Sequence, residues 1–284
     1  MSEAPGPRVS IGLPIYNEGR FLAETLESLL GQTHRNIEIV LSDNASTDDS
    51  RSIYEPLAEA DPRIKVHRFE ENQGVTVNST LVLELAEGDY FMWASGHDLW
   101  TPDLVEKCVE ALERNPDSVL AYADSRWIDH TGALMEHESG NYDTRGLNSI
   151  GRFFTAFWGN MHPVLGIIRL SSIREIPTIH GIPGADLLVL TELALKGDFL
   201  FISDAEWSRR ETRGGETYQQ KVERYKSGDF KLVTSRFDQL FPLVRLPWEL
   251  IRLVLRARIS IAEKFAIVLV LLPSFIARYV EGGR

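Results

Sequence analysis

The stretch VSIGLPIYNEGRFLAETLESLLGQTHRNIEIVLSDNASTDD, residues 9–49, reads as strand, loop and helix followed by a second strand and a polar loop. Val9 to Leu13 is a short apolar run stopped by Pro14, and from Phe21 to Leu30 apolar residues recur at helical spacing, at Phe21, Leu22, Leu26 and Leu29. A second apolar run, Ile37 to Ser42, ends in the polar cluster Asp43 to Asp49, and Ser50 to Ala60 then has the pattern of another helix. Outward from there, Ile64–Arg68 reads as a third strand, Gly74–Ala86 as a third helix and Tyr90–Ala94 as a fourth, fully apolar strand. This alternation predicts an α/β fold, with a mainly parallel sheet covered by helices on both faces.

The rest of the chain extends the sheet. After a helix over Pro102–Asn115, Val119–Asp124 reads as a strand, Trp127–Gly132 as a turn and Glu136–Asn148 as a flap or plain surface. The aromatic segment Phe153–Asn160 is either an acceptor-facing surface or a buried helix, and His162 beside it reads as a satisfied polar residue.

Composition bounds the function. The 284 residues are 43% hydrophobic and 25% charged, an ordinary globular balance that excludes disorder and fibrous repeats. Thirty Lys and Arg against 41 Asp and Glu give a net charge of −11, which excludes a general nucleic-acid-binding role. The balance is uneven, because Arg236 to Arg284 holds 8 basic and 4 acidic residues. The single cysteine, Cys108, has no partner for an intramolecular disulfide and falls on the apolar face of a helix, so it reads as core. The first ten residues lack a signal-peptide pattern, making the cytoplasm the expected compartment.

In open α/β sheets the ligand lies beyond the carboxyl ends of the strands. Four successive strand ends here are polar: Tyr16-Asn17-Glu18, Asp43-Asn44 with Thr47-Asp48, Asn72 with Gly74, and Ser95-Gly96-His97-Asp98. Each alone also serves as turn or cap chemistry. Together they predict one shared site. No G-x-x-x-x-G-K-[ST] loop is present, which argues against a P-loop nucleotidase.

The order Pro14-Ile15-Tyr16-Asn17-Glu18, Ser42 to Asp48, Asn72-Gln73-Gly74 and Asp98-Leu99-Trp100-Thr101-Pro102 resembles family 2 glycosyltransferases of the GT-A fold, over roughly residues 8 to 215. The resemblance implies inverting transfer of a sugar from a nucleotide diphosphate sugar (UDP, GDP or dTDP), with a divalent cation on the diphosphate. It implies that Pro14, Tyr16, Asn17 and Glu18 line the nucleoside pocket, that Asp43 faces the base, that Asn72 and Gly74 lie near the ribose and diphosphate, and that Asn44 belongs to the same donor site. Where the family shows Asp-x-Asp-Asp, this chain has Ser95-Gly96-His97-Asp98, so the expected metal ligands are His97 and Asp98. A mixed nitrogen and oxygen pair suits Mn²⁺ better than Mg²⁺. Asp124 is a further candidate for the sugar or acceptor pocket.

Gly184-Ala185-Asp186-Leu187 resembles the family's acidic pair before an apolar helix, which implies that Asp186 is the general base; a helix cap is its structural alternative. Arg209 to Gly215 stands where the family has a loop closing on the diphosphate, so Arg210 and Arg213 are the expected phosphate ligands, with Thr212 in the usual place of a histidine.

Beyond Phe230 the character changes. Phe241–Arg258 sets Trp248, Ile251, Leu255 and Ile259 near one side, with Arg245, Arg252 and Arg256 at helical spacing, and Phe265–Ala277 is uncharged but interrupted by Pro273. This predicts a catalytic domain over 1–230 and a basic, amphipathic helical tail over 231–284. The tail is expected to lie peripherally on the inner membrane face, with homodimerisation or packing on the catalytic domain as alternatives. The acceptor is then a glycan or lipid-linked hydroxyl in surface polysaccharide or glycolipid synthesis. A nucleotide-sugar-binding scaffold and a nucleotidyltransferase are the competing readings.

Overall fold

Alternation along the strands sets the layers. In β1 (Val9–Ile15), Val9, Ile11, Leu13 and Ile15 are fully buried on one face. β1 pairs in parallel with β2 (Ile37–Asp43) and with β4 (Tyr90–Trp93), and β2 with β3 (Ile64–Arg68). In β4, Tyr90 and Met92 join the core on one side while Phe91 and Trp93 join that on the other. A sheet apolar on both faces must be covered on both. The first cover is α1 (Leu22–Leu30), α2 (Ser50–Ala60) and α4 (Leu104–Arg114). The second is α3 (Val75–Glu84), α6 (Leu170–Arg174) and α7 (Ala185–Lys196), with α5 (Ser149–Trp158) packed on α7. Burying each large apolar side chain contributes about 1.5–3 kcal/mol. Cys108 belongs to α4's buried face, and burial pushes its thiol up to about 12, so it is core and no nucleophile.

The computed structural model describes residues 6–176, 184–212 and 242–278. Its sheet has the order β3-β2-β1-β4-β8-β6-β9-β5, where β5 is Leu99–Trp100, β6 is Ser118–Ile128, β8 is Ile167–Arg169 and β9 is Asp198–Arg210; β7 (Leu134–Glu138) pairs with β6. β8 runs antiparallel to β4 and β6, while β9 lies parallel to β6, so β4, β6 and β9 all end at the edge where β1 and β2 end. The architecture is the expected mainly parallel α/β sheet with helices on both faces. Three local readings are corrected. Trp127 and Ile128 continue β6 instead of turning, and part of the supposed flap forms β7. Arg209 and Arg210 end β9 instead of lying in a loop.

The tail forms α8 (Pro242–Arg256) and α9 (Ile261–Ile276), with Ser260 and Glu263 in a capping box at the start of α9. Leu246, Leu250, Leu253, Ile267, Leu271 and Phe275 share one core with Phe153, Phe157, Leu187 and Leu188. The aromatic segment is thus mainly a buried helix, although Trp158 is half exposed. Among the described residues no helix is long and apolar enough to cross a membrane.

Candidate active site

The loops after β1 and β2 are clasped together. Asn17 donates its backbone N–H to Ser46 Oγ (2.9 Å) and accepts from the Thr47 N–H (2.9 Å) at its side-chain oxygen. The Glu18 N–H reaches Ser50 Oγ at 3.0 Å, and Asp48 accepts from the Gly19 N–H at 2.8 Å. Asn17 and Ala45 both adopt positive φ, 56° and 62°. Asparagine tolerates that region, whereas alanine pays for its Cβ. Ala45→Gly is therefore expected to stabilise the protein by about 0.5–1 kcal/mol, read as a raised denaturation midpoint with donor binding unchanged. Pro14 and Tyr16 are half-buried at the mouth of this loop.

Asp43 has no exposed surface. Its oxygens accept from the Ser46 N–H (2.8 Å), Tyr54 Oη (2.9 Å) and Arg68 Nε (3.0 Å). Asn44 is equally enclosed, donating to Asn72 Oδ1 (2.9 Å) and accepting from the Gln73 N–H (2.8 Å). Asn72 Oδ1 also accepts from the Gly74 N–H at 2.7 Å, and Gly74 caps α3 at φ 87°, ψ 162°, a conformation open essentially to glycine alone. The asparagine pair thus locks the turn before α3 to the end of β2. Both Asp43 oxygens are thus taken by protein donors in this structure, where the resemblance implied contact with a base.

The loop after β4 brings Glu18 and His97 together across 79 residues of sequence. His97 Nδ1 lies 3.1 and 3.0 Å from the two Glu18 oxygens, and Nε2 lies 3.9 Å from Asp98 Oδ1. A carboxylate on Nδ1 holds the proton there and leaves Nε2 as the basic atom, the arrangement found behind metal-ligating histidines. Asp98 is buried, accepting from the Arg210 N–H (2.9 Å) and Trp207 Nε1 (3.1 Å). Burial raises its carboxyl, opposed chiefly by His97.

No cluster of three or more His, Cys, Asp or Glu side chains among the described residues is arranged as a metal cage. The donor set nevertheless fits a cation that takes two protein ligands, His97 and Asp98, and the remainder from a diphosphate and water. Glu18→Gln is expected to weaken Mn²⁺ affinity roughly 10–100-fold in a direct metal titration, as removal of a ligand's orienting partner does.

Arg210 is a structural arginine. It is buried, donates from Nε to the His97 carbonyl (2.9 Å), pairs with Glu24 (3.0 Å) and lies over the Phe21 ring. Its neighbour points the other way, because successive residues of a strand face opposite sides. Arg209 lies 4.3 Å over Trp127 and donates to His162 Nε2 at 2.8 Å. Since a guanidinium only donates, Nε2 must accept, which places the imidazole proton on Nδ1, facing Ser125 Oγ at 2.9 Å. Burial, reinforced by the Arg209 charge, pushes His162 down to about 4 and keeps it neutral. Among the described residues Arg209 has no carboxylate partner. Sequence reading passed over it for Arg210; the strand's two-residue period was the signal that separates them. Arg213 lies outside the described residues.

Asp186 stands in the first turn of α7, whose cap is Gly184, so the capping alternative is not realised. α7 leads through Gly197 directly into β9 and therefore opens at the edge where β9 ends. Asp186 is exposed and makes no hydrogen bond among the described residues. The protein around it nonetheless pushes its carboxyl above the usual range, with the Arg209 charge opposing. Asp124 is half-buried and accepts from Asn141 at 2.8 Å.

This edge of the α/β sheet carries a clasped loop pair, a histidine–carboxylate pair, an oriented arginine and an exposed carboxylate. S. aureus TarS, solved with UDP-GlcNAc, superposes with a TM-score of 0.69 over 95% of this chain and 73% of that one at 18% identity. The mannosyltransferase PcManGT of Pyrobaculum calidifontis, solved with GDP-Man and Mn²⁺, gives a TM-score of 0.57 over 95% of this chain and 81% of that one at 17% identity. Both likenesses concern the fold. The chain belongs to glycosyl transferase family 2, whose model matches residues 10–161. It is also 30% identical to the chondroitin synthase of Escherichia coli over 131 residues, 46% of this chain and 19% of that protein. The chain spans less than half the length of the curated relatives it matches.

Proposed function

We propose that this protein is an inverting glycosyltransferase that moves a sugar from a nucleotide diphosphate sugar to a hydroxyl of a glycan or lipid-linked acceptor, in the synthesis of a surface polysaccharide or glycolipid. The observation that carries the reading is Asp186: a solvent-facing carboxylate in the first turn of α7, at the edge of the sheet where β9 and its oriented Arg209 end. It takes the acceptor hydroxyl proton as that oxygen bonds to the anomeric carbon and the bond from that carbon to the diphosphate oxygen breaks. The leaving diphosphate carries away the bonding pair, and Arg209 meets its charge. His97 and Asp98 would hold a divalent cation, which when bound supplies further charge neutralisation at the diphosphate. Pro14, Tyr16, Asn17 and Glu18 shape the nucleoside side, while Asp43, Asn44, Asn72 and Gly74 hold its walls in register.

Calorimetric titration with UDP, GDP and dTDP, each with Mn²⁺, Mg²⁺ or chelator, tests the reading. One nucleotide is expected to bind, more weakly in chelator. Failure of all three to bind would overturn it, and binding without transfer would favour the scaffold alternative.

A further inference from the structure

α9 carries two apolar rows. Ile267, Leu271 and Phe275 are buried in the core shared with α5 and α8. The other row, Ile261, Phe265, Leu269, Leu272 and Ile276, advances in steps of three or four residues along one face and is 49–86% exposed. On α8, Trp248 and Leu255 are likewise 59% and 57% exposed. Lys264 donates to the Leu255 carbonyl at 2.8 Å, joining the two helices at the turn of the hairpin. An exposed apolar row of this kind along one helix face marks an interaction site.

Charge selects the occupant. Residues 242–278 hold six basic and two acidic side chains in a protein of net charge −11. Both acids are engaged locally, Glu249 with Arg252 and Glu263 with Ser149 and Ser260. At 1.5 Å per residue, the 16 residues of α9 extend only about 24 Å, short of the ~30 Å hydrocarbon core of a bilayer. A basic hairpin with an outward apolar face, too short to span, suits the interface of an anionic membrane.

We infer that α8 and α9 form an interfacial anchor that sinks its outer apolar row among the headgroups of an anionic leaflet and sets the candidate base beside a lipid-linked acceptor. The second half rests on Asp186 being the base. Its structural link is Leu246 of α8, which abuts Gly184: a Cβ at that glycine would come within 2.8 Å of Leu246 Cδ2, two residues before Asp186. The anchor and the start of α7 are thus in direct contact.

The test is co-sedimentation of the full chain with vesicles of phosphatidylcholine alone and with phosphatidylglycerol added, at low and high salt. Binding is expected to the phosphatidylglycerol vesicles and to weaken with salt. Phe265→Glu and Leu269→Glu, both at exposed positions, should each cut it at least about tenfold without changing the thermal midpoint or nucleotide binding. Wild-type chain that ignores the anionic vesicles would overturn the anchor. So would a stable dimer dissociated by Leu269→Glu, since a second copy would then cover the row. Nucleotide titration without vesicles separates this outcome from failure of the transfer reading.

Discussion

Asp186→Asn is expected to lower sugar transfer by roughly 10²–10⁴-fold, the usual worth of a positioned general base, while leaving nucleotide affinity nearly unchanged. The amide keeps the size of the side chain but cannot take the acceptor proton. The pH profile adds a second readout. The base must be ionised to act, so activity falls as pH falls through its pKa. Because the surrounding protein raises that pKa, the acid limb should sit above the range of an ordinary aspartate. The stability consequence has the opposite sign to that of a salt-bridged carboxylate. A folded-state pKa above the unfolded value means that ionisation at neutral pH works against the fold, an effect relieved as pH falls below the folded pKa. The asparagine variant should therefore be at least as stable as wild type at neutral pH. Lost transfer with an intact thermal midpoint supports the assignment, and near-normal transfer, or loss of nucleotide binding in step with activity, overturns it.

Arg209→Met should reduce kcat/KM by about 10²–10³-fold, the scale seen when a preorganised electrostatic donor is lost, and should weaken nucleotide diphosphate binding as well. Arg209→Lys should recover little. Lysine keeps the charge but cannot reproduce a planar guanidinium lying over Trp127 and bonded to His162. Removing the Arg209 charge also takes away the influence that lowers the Asp186 pKa, so the acid limb of any residual activity should move to higher pH. That shift is the readout a merely structural arginine would not produce. Arg210→Met provides the contrast. Its buried guanidinium ties α1 to the loop holding His97, so the loss there should appear as instability. Unchanged transfer in Arg209→Lys would rule out the role given to the planar group.

The first half of the fold was legible because its signals are local. Each strand from β1 to β4 is a short apolar run closed by polar residues, and each following helix repeats its apolar positions at helical spacing. Reading failed where pairing is set by distant partners. β8 is three residues long and lies antiparallel between β4 and β6, a placement no local pattern encodes. β9 carries Ser203, Asp204 and Glu206 in its middle and so resembles a loop, yet it pairs along nearly all of β6. The site divides the same way. Asn17, Glu18, His97 and Asp98 stood out by following strands. The Glu18–His97 contact and the His162–Arg209 contact join residues far apart in sequence, and only the folded chain reveals them.

The core shared by α5, α7, α8 and α9 also bears on how the protein is made. During synthesis the N-terminal sheet can assemble early, but Phe153, Phe157, Leu187 and Leu188 gain their cover only after residue 276 has left the ribosome. Until then the nascent chain shows a sticky apolar face, the kind of surface that recruits chaperones or aggregates. Leu246 reaches Gly184 at the same late stage. The contact that braces the start of α7 is therefore expected to form only once α8 has emerged, and a ribosome stalled before α8 would hold a folded sheet whose α7 lacks that brace.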